Sequence, residues 1–368
     1  MADLQLRLNN DMLVVEGSLR AILEREGALT GESELRAADA EAAGLICEDA
    51  RAAELAGSIE YLNILDEELV CSAHERYVMA GAQCALTNTV AASRPALAAL
   101  GLGEHVEQIN RVAVRAAHQA GFQHVLACVG SVMPNAGPVP DTDRAFAHYS
   151  EQIRALVDEQ PDAIILVDFT DLGDIQAAVR AAQRSSDLPV IVGLGMAADG
   201  SLLTSGEGLE QAVAAVEASG VSVVGIGSGL TIEELLPLSS RLAQATQLPL
   251  YACIEPPAAN IAHPSLAADD SYLIQASHGA HATCVSNEAC PSQVSHGTHA
   301  MQIPYPDHTE EIATAAVHLR QIGVQFIGVG KGSVPADCGA LFAAIGALPV
   351  VQKRPAFLTT KERKVALR

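Results

Sequence analysis

A closed (β/α)₈ barrel in a single domain spanning 1–368 is the fold the sequence predicts, on three observations. Eight short apolar runs alternate with amphipathic stretches along 368 residues, a size that α/β barrels reach as single domains. Hydrophobic residues make up 49% of the chain while aromatics make up 3% and Trp is absent. The core volume must therefore come from Ala, Val, Leu and Ile, as in helices packed on a parallel sheet. No G-x-G-x-x-G follows the first apolar run, which argues against an open doubly wound sheet.

The strands read as MLVV (12–15), CALT (84–87), HVLACV (124–129), AIILVDF (163–169), PVIVGLG (189–195), VSVVGIG (221–227), LYACIE (250–255) and QFIGVG (325–330). Each is short and apolar, as a strand buried on both faces should be. EELVCSAHERYVMAG leads into the second, EHVEQINRVAVRAAHQAG into the third and AFAHYSEQIRALVDEQ into the fourth. IQAAVRAAQRS, GLEQAVAAVEASG, IEELLPLSSRLAQA and EEIATAAVHLRQIG precede the next four, and CGALFAAIGAL closes the series. Several of these helices end in Gly, the residue that caps a helix in the left-handed conformation. Two stretches exceed ordinary connections: an Ala/Glu-rich helical insert over 32–57, and a helix-poor excursion over 256–304 after the seventh strand.

The net charge of −22 opposes binding to nucleic acid and anionic membranes. The N-terminus MADLQLRLNND has no apolar signal core, and no apolar run reaches the roughly 18 residues needed to span a bilayer. A cytoplasmic chain is expected, and a homo-oligomer is compatible with the sequence. The eight cysteines are scattered, and in a reducing compartment they serve mostly as small buried hydrophobes.

The stretch EYLNILDEELVCSAHERYVMAGAQCALTNTVAASRPALAALGL (60–102) resembles the homocysteine S-methyltransferase family. It looks most like the homocysteine-binding module of cobalamin-dependent methionine synthases. The resemblance is carried by His74, Tyr77, Ala80-Gly81-Ala82, Thr87-Asn88-Thr89 and Ala92-Ser93. VLACVGSVMP, DGSLLTSG, GIGSGLTIEELLPL, IEPPA and GVGKGSVP continue it in order, over about residues 12 to 348. The resemblance implies the same barrel, a small-molecule substrate and a zinc ion held by three cysteine thiolates. In the family the metal keeps the homocysteine thiol as thiolate, which attacks an activated methyl group; coordination deprotonates a thiol of pKa about 8.5. Here the three cysteine positions fall on Ser228, Gly330 and Lys331. A hydroxyl, a hydrogen and an ammonium are poor stand-ins for soft anionic ligands. The family's D-G-A-M-G-T falls on Glu16 to Ala21, its F-E-T on Leu166 to Asp168, and the asparagine of its E-P-N-A on Pro257.

These departures lead to a methyltransferase-like enzyme without a zinc-thiolate centre, moving a one-carbon group to or from a small molecule. A corrinoid protein is the partner the resemblance suggests. No D-x-H-x-x-G occurs in the chain, so the corrinoid would sit on another polypeptide. Asp168, Lys331 and Glu16 are the expected catalytic groups, as acid, base or charge partners. Asn88, Thr87, Ser228 and Gly17 are the expected substrate-binding positions. GVGKGSVP is not a phosphate loop of the Walker type, because Gly follows Lys331 where Ser or Thr is needed. Lys331 is either a ligand anchor or the partner of Glu16 or Asp168 across the mouth. His74 reads as a structural residue on the outer ring.

Two alternatives stand. The pairs His278/His281 and His296/His299, each in S-H-G-x-H with Cys284 and Cys290 between, could hold a zinc or iron ion for another reaction class. The other is a non-catalytic ligand-binding barrel, which would lack convergent polar groups at Asn88, Asp168 and Lys331.

Overall fold

The computed structural model describes residues 4, 7, 11–25, 58–132, 142–257 and 308–346. The eight strands are β1 Leu13–Val14, β2 Cys84–Leu86, β3 His124–Val129, β4 Ala163–Phe169, β5 Val190–Leu194, β6 Val223–Ile226, β7 Leu250–Ile254 and β8 Phe326–Val329. All their pairings are parallel, in the order β1-β8-β7-β6-β5-β4-β3-β2. The cylinder closes where Val15 bridges Cys84 in parallel. There the Gln83 N–H donates to the Val14 carbonyl (2.8 Å) and the Glu16 N–H to the Cys84 carbonyl (3.0 Å). Closure removes both sheet edges.

The helices used below are α1 Leu19–Arg25, α2 Leu62–Leu65, α3 Glu67–Met79, α4 Arg94–Ala99, α5 Val106–Gln119, α6 Thr142–Val157, α7 Leu172–Ser185, α8 Leu209–Ala218, α9 Ile232–Ala245, α10 Thr309–Ile322 and α11 Pro335–Gly346. Local chemistry sets several starts. Asp66 and Asp171 accept the third-residue N–H of α3 and α7, and Thr231 with Glu234 forms a complete capping box on α9. Gly323 closes α10 at φ 98°, in the left-handed region that Gly enters without steric cost. Among the described residues no helix is long and apolar enough to cross a membrane. The expected insert over 32–57 lies outside the described residues, as does the excursion beyond residue 257.

Alternation along the strands divides the core in two. Leu13, Val15, Cys84, Leu126, Cys128, Ile165, Ile191, Val223, Tyr251, Cys253 and Phe326 fill the lumen. Val14, Ala85, Ala127, Ile164, Val192, Val224, Ala252 and Ile327 face the helices. Tyr251 is the side chain around which the upper lumen is cut. A Cβ at Gly193 would meet its ring at 3.2 Å, and one at Gly225 would stand 2.1 Å from the Tyr251 carbonyl and 2.5 Å from its Cβ. Gly225→Ala therefore forces β6 and β7 apart. A loss of about 3 kcal/mol is expected, at the upper end for an overpacked core, read as a lower denaturant midpoint at unchanged slope.

Candidate active site at the barrel mouth

The carboxyl ends of the strands form the working face of such barrels. At the end of β4 the register shifts between Leu166 and Phe169, and Asp168 sits there at φ 55°. A non-Gly residue in this region is uncommon, though Asp tolerates it better than most. The bulge lets Asp168 reach across the end of β5 to β6. Its Oδ1 accepts the Ser228 N–H (2.7 Å), and its Oδ2 accepts the Ser228 hydroxyl. Gly227 makes this approach feasible, since a Cβ there would lie 2.2 Å from Oδ1.

Glu255 follows β7, two residues beyond Cys253 and four beyond Tyr251, so all three share the inward face. Its Oε1 accepts the N–H of Gly229 (3.1 Å) and of Lys331 (3.3 Å). One carboxylate oxygen thus ties the turn after β6 to the turn after β8. A Cβ at Gly330 would stand 2.3 Å from Oε1, 2.7 Å from Cδ and 3.1 Å from Oε2. The carboxylate occupies the space that any side chain at 330 would need. Burial pushes the Glu255 carboxyl above its ordinary value; the Lys331 N–H pulls it back and the nearby Asp168 charge raises it further. Below it, burial also pushes the Cys253 thiol and the Tyr251 phenol well up.

The expected site residues divide into two groups. Asp168, Ser228, Gly330 and Lys331 meet at the mouth around Glu255. The exposed Lys331 makes no ion pair with Glu16 or Asp168; its backbone N–H, not its ammonium, is the group bonded to a carboxylate. The other group serves the framework. Glu16 was expected to be a pocket acid, but it faces away from the lumen because Leu13 and Val15 hold the inward phase of β1. Fully buried, it contacts His74 Nδ1 at 2.9 Å and accepts the Leu86 N–H at 2.5 Å. Burial raises its carboxyl, against the pull of His74. His74, expected to be a structural residue on the outer ring, is buried on α3 in contact with Glu16. Gly17 offers no open surface to a substrate, since a Cβ there would lie 2.3 Å from Ser333 Oγ and 2.9 Å from the Tyr77 hydroxyl.

Asn88 and Thr87 were expected at the substrate. The Asn88 amide instead donates to the Ile59 carbonyl (2.8 Å) and Asn63 Oδ1 (2.9 Å). Asn63 donates back to the Asn88 carbonyl (2.8 Å). The Thr87 hydroxyl accepts the Cys128 N–H (2.8 Å) and meets that of Thr89 at 2.7 Å. These bonds lock the turn after β2 onto α2 and β3, satisfying groups that burial would leave costly. His278, His281, His296 and His299 lie outside the described residues.

The sequence profile of the homocysteine S-methyltransferase family matches residues 13–345. This chain belongs to that family. It is 25% identical over 227 residues to the methionine synthase of Mycobacterium tuberculosis, covering 57% of this chain and 18% of that protein. The chain thus spans under a fifth of the length of that relative. The homocysteine methyltransferase MmuM from Escherichia coli in its metallated form shares the fold, with a TM-score of 0.64 and 19% identity over 92% of this chain and 98% of that one. Its oxidized form superposes with the same TM-score of 0.64 over 92% of this chain and 99% of that one.

The zinc that the family resemblance implies does not fit the residues present. Ser228 spends its hydroxyl on Asp168, Gly330 has no donor atom, and the carboxylate of Glu255 stands where a cysteine side chain at 330 would go. Among the described residues no group of three or more His, Cys, Asp or Glu is placed to hold a metal ion. The residue missed from sequence was Glu255. Its signal was present: IEPPA keeps a carboxylate directly after a lumen-facing strand.

Proposed function

We propose that the protein is a methyltransferase acting on a homocysteine-like small molecule through a mouth that lacks the zinc-thiolate centre. Family membership supports the reaction class. The observation that carries the departure is the contact of Glu255 with the turns holding the replaced positions: Gly229 beside Ser228, and Lys331 itself. The acceptor enters over the lumen, where Asp168 fixes Ser228 and Lys331 is open to solvent. A carboxylate and an ammonium on one rim suit a small zwitterionic molecule bearing an amine and a carboxylate. The methyl group comes from an activated donor, for which a methylated corrinoid on a separate polypeptide is the first choice, given the likeness to cobalamin-dependent modules.

The purified chain is incubated with homocysteine and, in separate reactions, a sulfonium methyl donor and a methylcorrinoid, with zinc quantified throughout. Methyl transfer at substoichiometric zinc, unaffected by a chelator, is expected with one of them. Stoichiometric zinc whose removal abolishes transfer would overturn the zinc-free reading, and no transfer from either donor would overturn the methyltransferase reading.

A further inference from the structure

We infer that Glu255 is the proton acceptor of this site, replacing the family's cation by removing the acceptor's proton directly. The inference rests on the methyltransferase reading above and names the group that performs its first step.

Four observations support it. Glu255 continues the inward row of β7 one residue beyond the strand, at the mouth and above Cys253 and Tyr251. Only Oε1 is used by the framework, through the N–H groups of Gly229 and Lys331. Oε1 also fills the side-chain space that Gly330 leaves free, 2.3 Å from where a Cβ would be, while Oε2 takes no hydrogen bond from the described residues. The absence of a side chain at 330 and the presence of the carboxylate are one arrangement, because neither is compatible with a cysteine at that position. Finally, the groups around Glu255 shape its basicity in the needed sense. Burial and the Asp168 charge raise its carboxyl, while the Lys331 ammonium and the two backbone N–H groups limit the rise. A carboxylate raised toward neutrality is a better base than an exposed one.

The step balances simply. The S–H bond of the acceptor thiol breaks, its proton passes to Glu255 Oε2, and the electron pair stays on sulfur. The thiolate then attacks the donor methyl carbon, whose bond to the leaving group breaks with its electron pair. The proton on Glu255 passes to solvent when product leaves. Each pKa unit by which the thiol exceeds the carboxyl lowers the thiolate population tenfold. The Lys331 ammonium, exposed on the rim, is placed to recover part of that loss by pairing with the new anion. Cys253 does not compete as base or nucleophile, since burial and the flanking carboxylates hold its thiol protonated.

The distinction from metal activation is measurable without turnover. A thiol bound to a metal gives up about one proton to solvent on binding. A thiol deprotonated by Glu255 keeps its proton inside the site. Homocysteine is titrated into the full chain by calorimetry in two buffers of different ionisation enthalpy, with the ultraviolet thiolate band recorded in parallel. Near-zero proton release together with a thiolate band is expected for the wild type. Glu255→Gln keeps the size and the Oε1 acceptor, and is expected to bind homocysteine without the thiolate band. It should also lower the methyl-transfer rate at least about 100-fold, with KM little changed. The acid limb of the wild-type pH–rate profile should vanish with it.

A thiolate band of equal intensity in Glu255→Gln, or release of about one proton by the wild type, would overturn the inference. If homocysteine binds and the band depends on Glu255 but no donor yields product, the transfer reading fails while the proton acceptor stands. If homocysteine does not bind at all, both fall. Circular dichroism of Glu255→Gln guards against misfolding. Should it not fold, Gly330→Ala, which pushes the carboxylate aside from the neighbouring strand β8, is expected to remove the band in the same way.

Discussion

Glu16→Ala is expected to cost about 3–5 kcal/mol of stability, from the buried hydrogen-bond partners it would orphan together with the cavity it would leave. The reason lies in what the carboxylate holds together. It is wholly buried between β1 and α3, accepts the Leu86 N–H and contacts His74 Nδ1. His74 has a second nitrogen, Nε2, that is buried with no partner among the described residues. Removing the carboxylate leaves a buried imidazole with neither nitrogen satisfied, an orphaned N–H on β2 and a cavity at the seam where the barrel closes. Glu16→Gln should lose less, because its amide oxygen still accepts from Leu86. Chemical denaturation of the three proteins orders them wild type, Gln, Ala. The pH dependence has a definite sign. A folded-state carboxyl raised above its unfolded value of 4.5 binds its proton more tightly in the folded chain. Its contribution is fully present below the unfolded value and is lost as pH rises through the folded one. The stability gap between wild type and Glu16→Ala should therefore be wider in mild acid than at neutral pH. A gap that instead narrows in acid would show that the contact with His74 dominates over burial.

The barrel was legible because its strands are. HVLACV and AIILVDF coincide with β3 and β4 residue for residue, and the other six runs fall on strands within a few residues. The face each side chain takes was not legible, and the cause is the same feature that made the strands easy to find. A strand buried on both sides has no polar phase, so MLVV does not say whether Glu16 continues the inward or the outward row. The structure puts Val15 inward and Glu16 outward, and the expected pocket acid becomes a structural one. Asp168 illustrates the opposite case. Strict alternation from Ile165 and Val167 would turn it outward, and only the bulge with its positive φ brings it to Ser228. A one-residue backbone irregularity of this kind leaves no mark in a run of seven apolar and acidic letters. Asn88 and Thr87 were read as ligand groups because polar side chains at strand ends often are. Their neighbours across the turn, Asn63 and Cys128, are distant in sequence and could not be paired with them by spacing.

Restoring the family's three thiolates should fail on its own and succeed only when Glu255 is removed as well. The variant carrying Ser228→Cys, Gly330→Cys and Lys331→Cys places sulfur at each family position, yet a Cβ at 330 would stand 2.3 Å from Glu255 Oε1 and 2.7 Å from Cδ. The carboxylate must be expelled before a sulfur can enter, and its bonds to Gly229 and Lys331 N–H must break. Asp168 still claims the residue at 228 through its backbone N–H, which the substitution leaves intact. The three-cysteine chain is therefore expected to bind zinc weakly and to lose stability by about 1–3 kcal/mol from crowding. Adding Glu255→Ala clears the space and removes an acceptor that the metal does not need. Three thiolates on the turns after β6 and β8 then present the soft donors zinc prefers, leaving the fourth position open to a substrate thiol. Structural zinc sites of this donor type bind with about 10–16 kcal/mol at neutral pH, so the four-substitution chain should purify with one zinc per chain and gain thermal stability from it. The measurement is zinc content after dialysis against a weak chelator, run on both variants side by side. If the three-cysteine chain alone holds stoichiometric zinc, Glu255 yields its place without resistance, and the carboxylate is a passenger in a site still shaped for metal. If only the four-substitution chain does, the carboxylate and the cation are alternatives for one position.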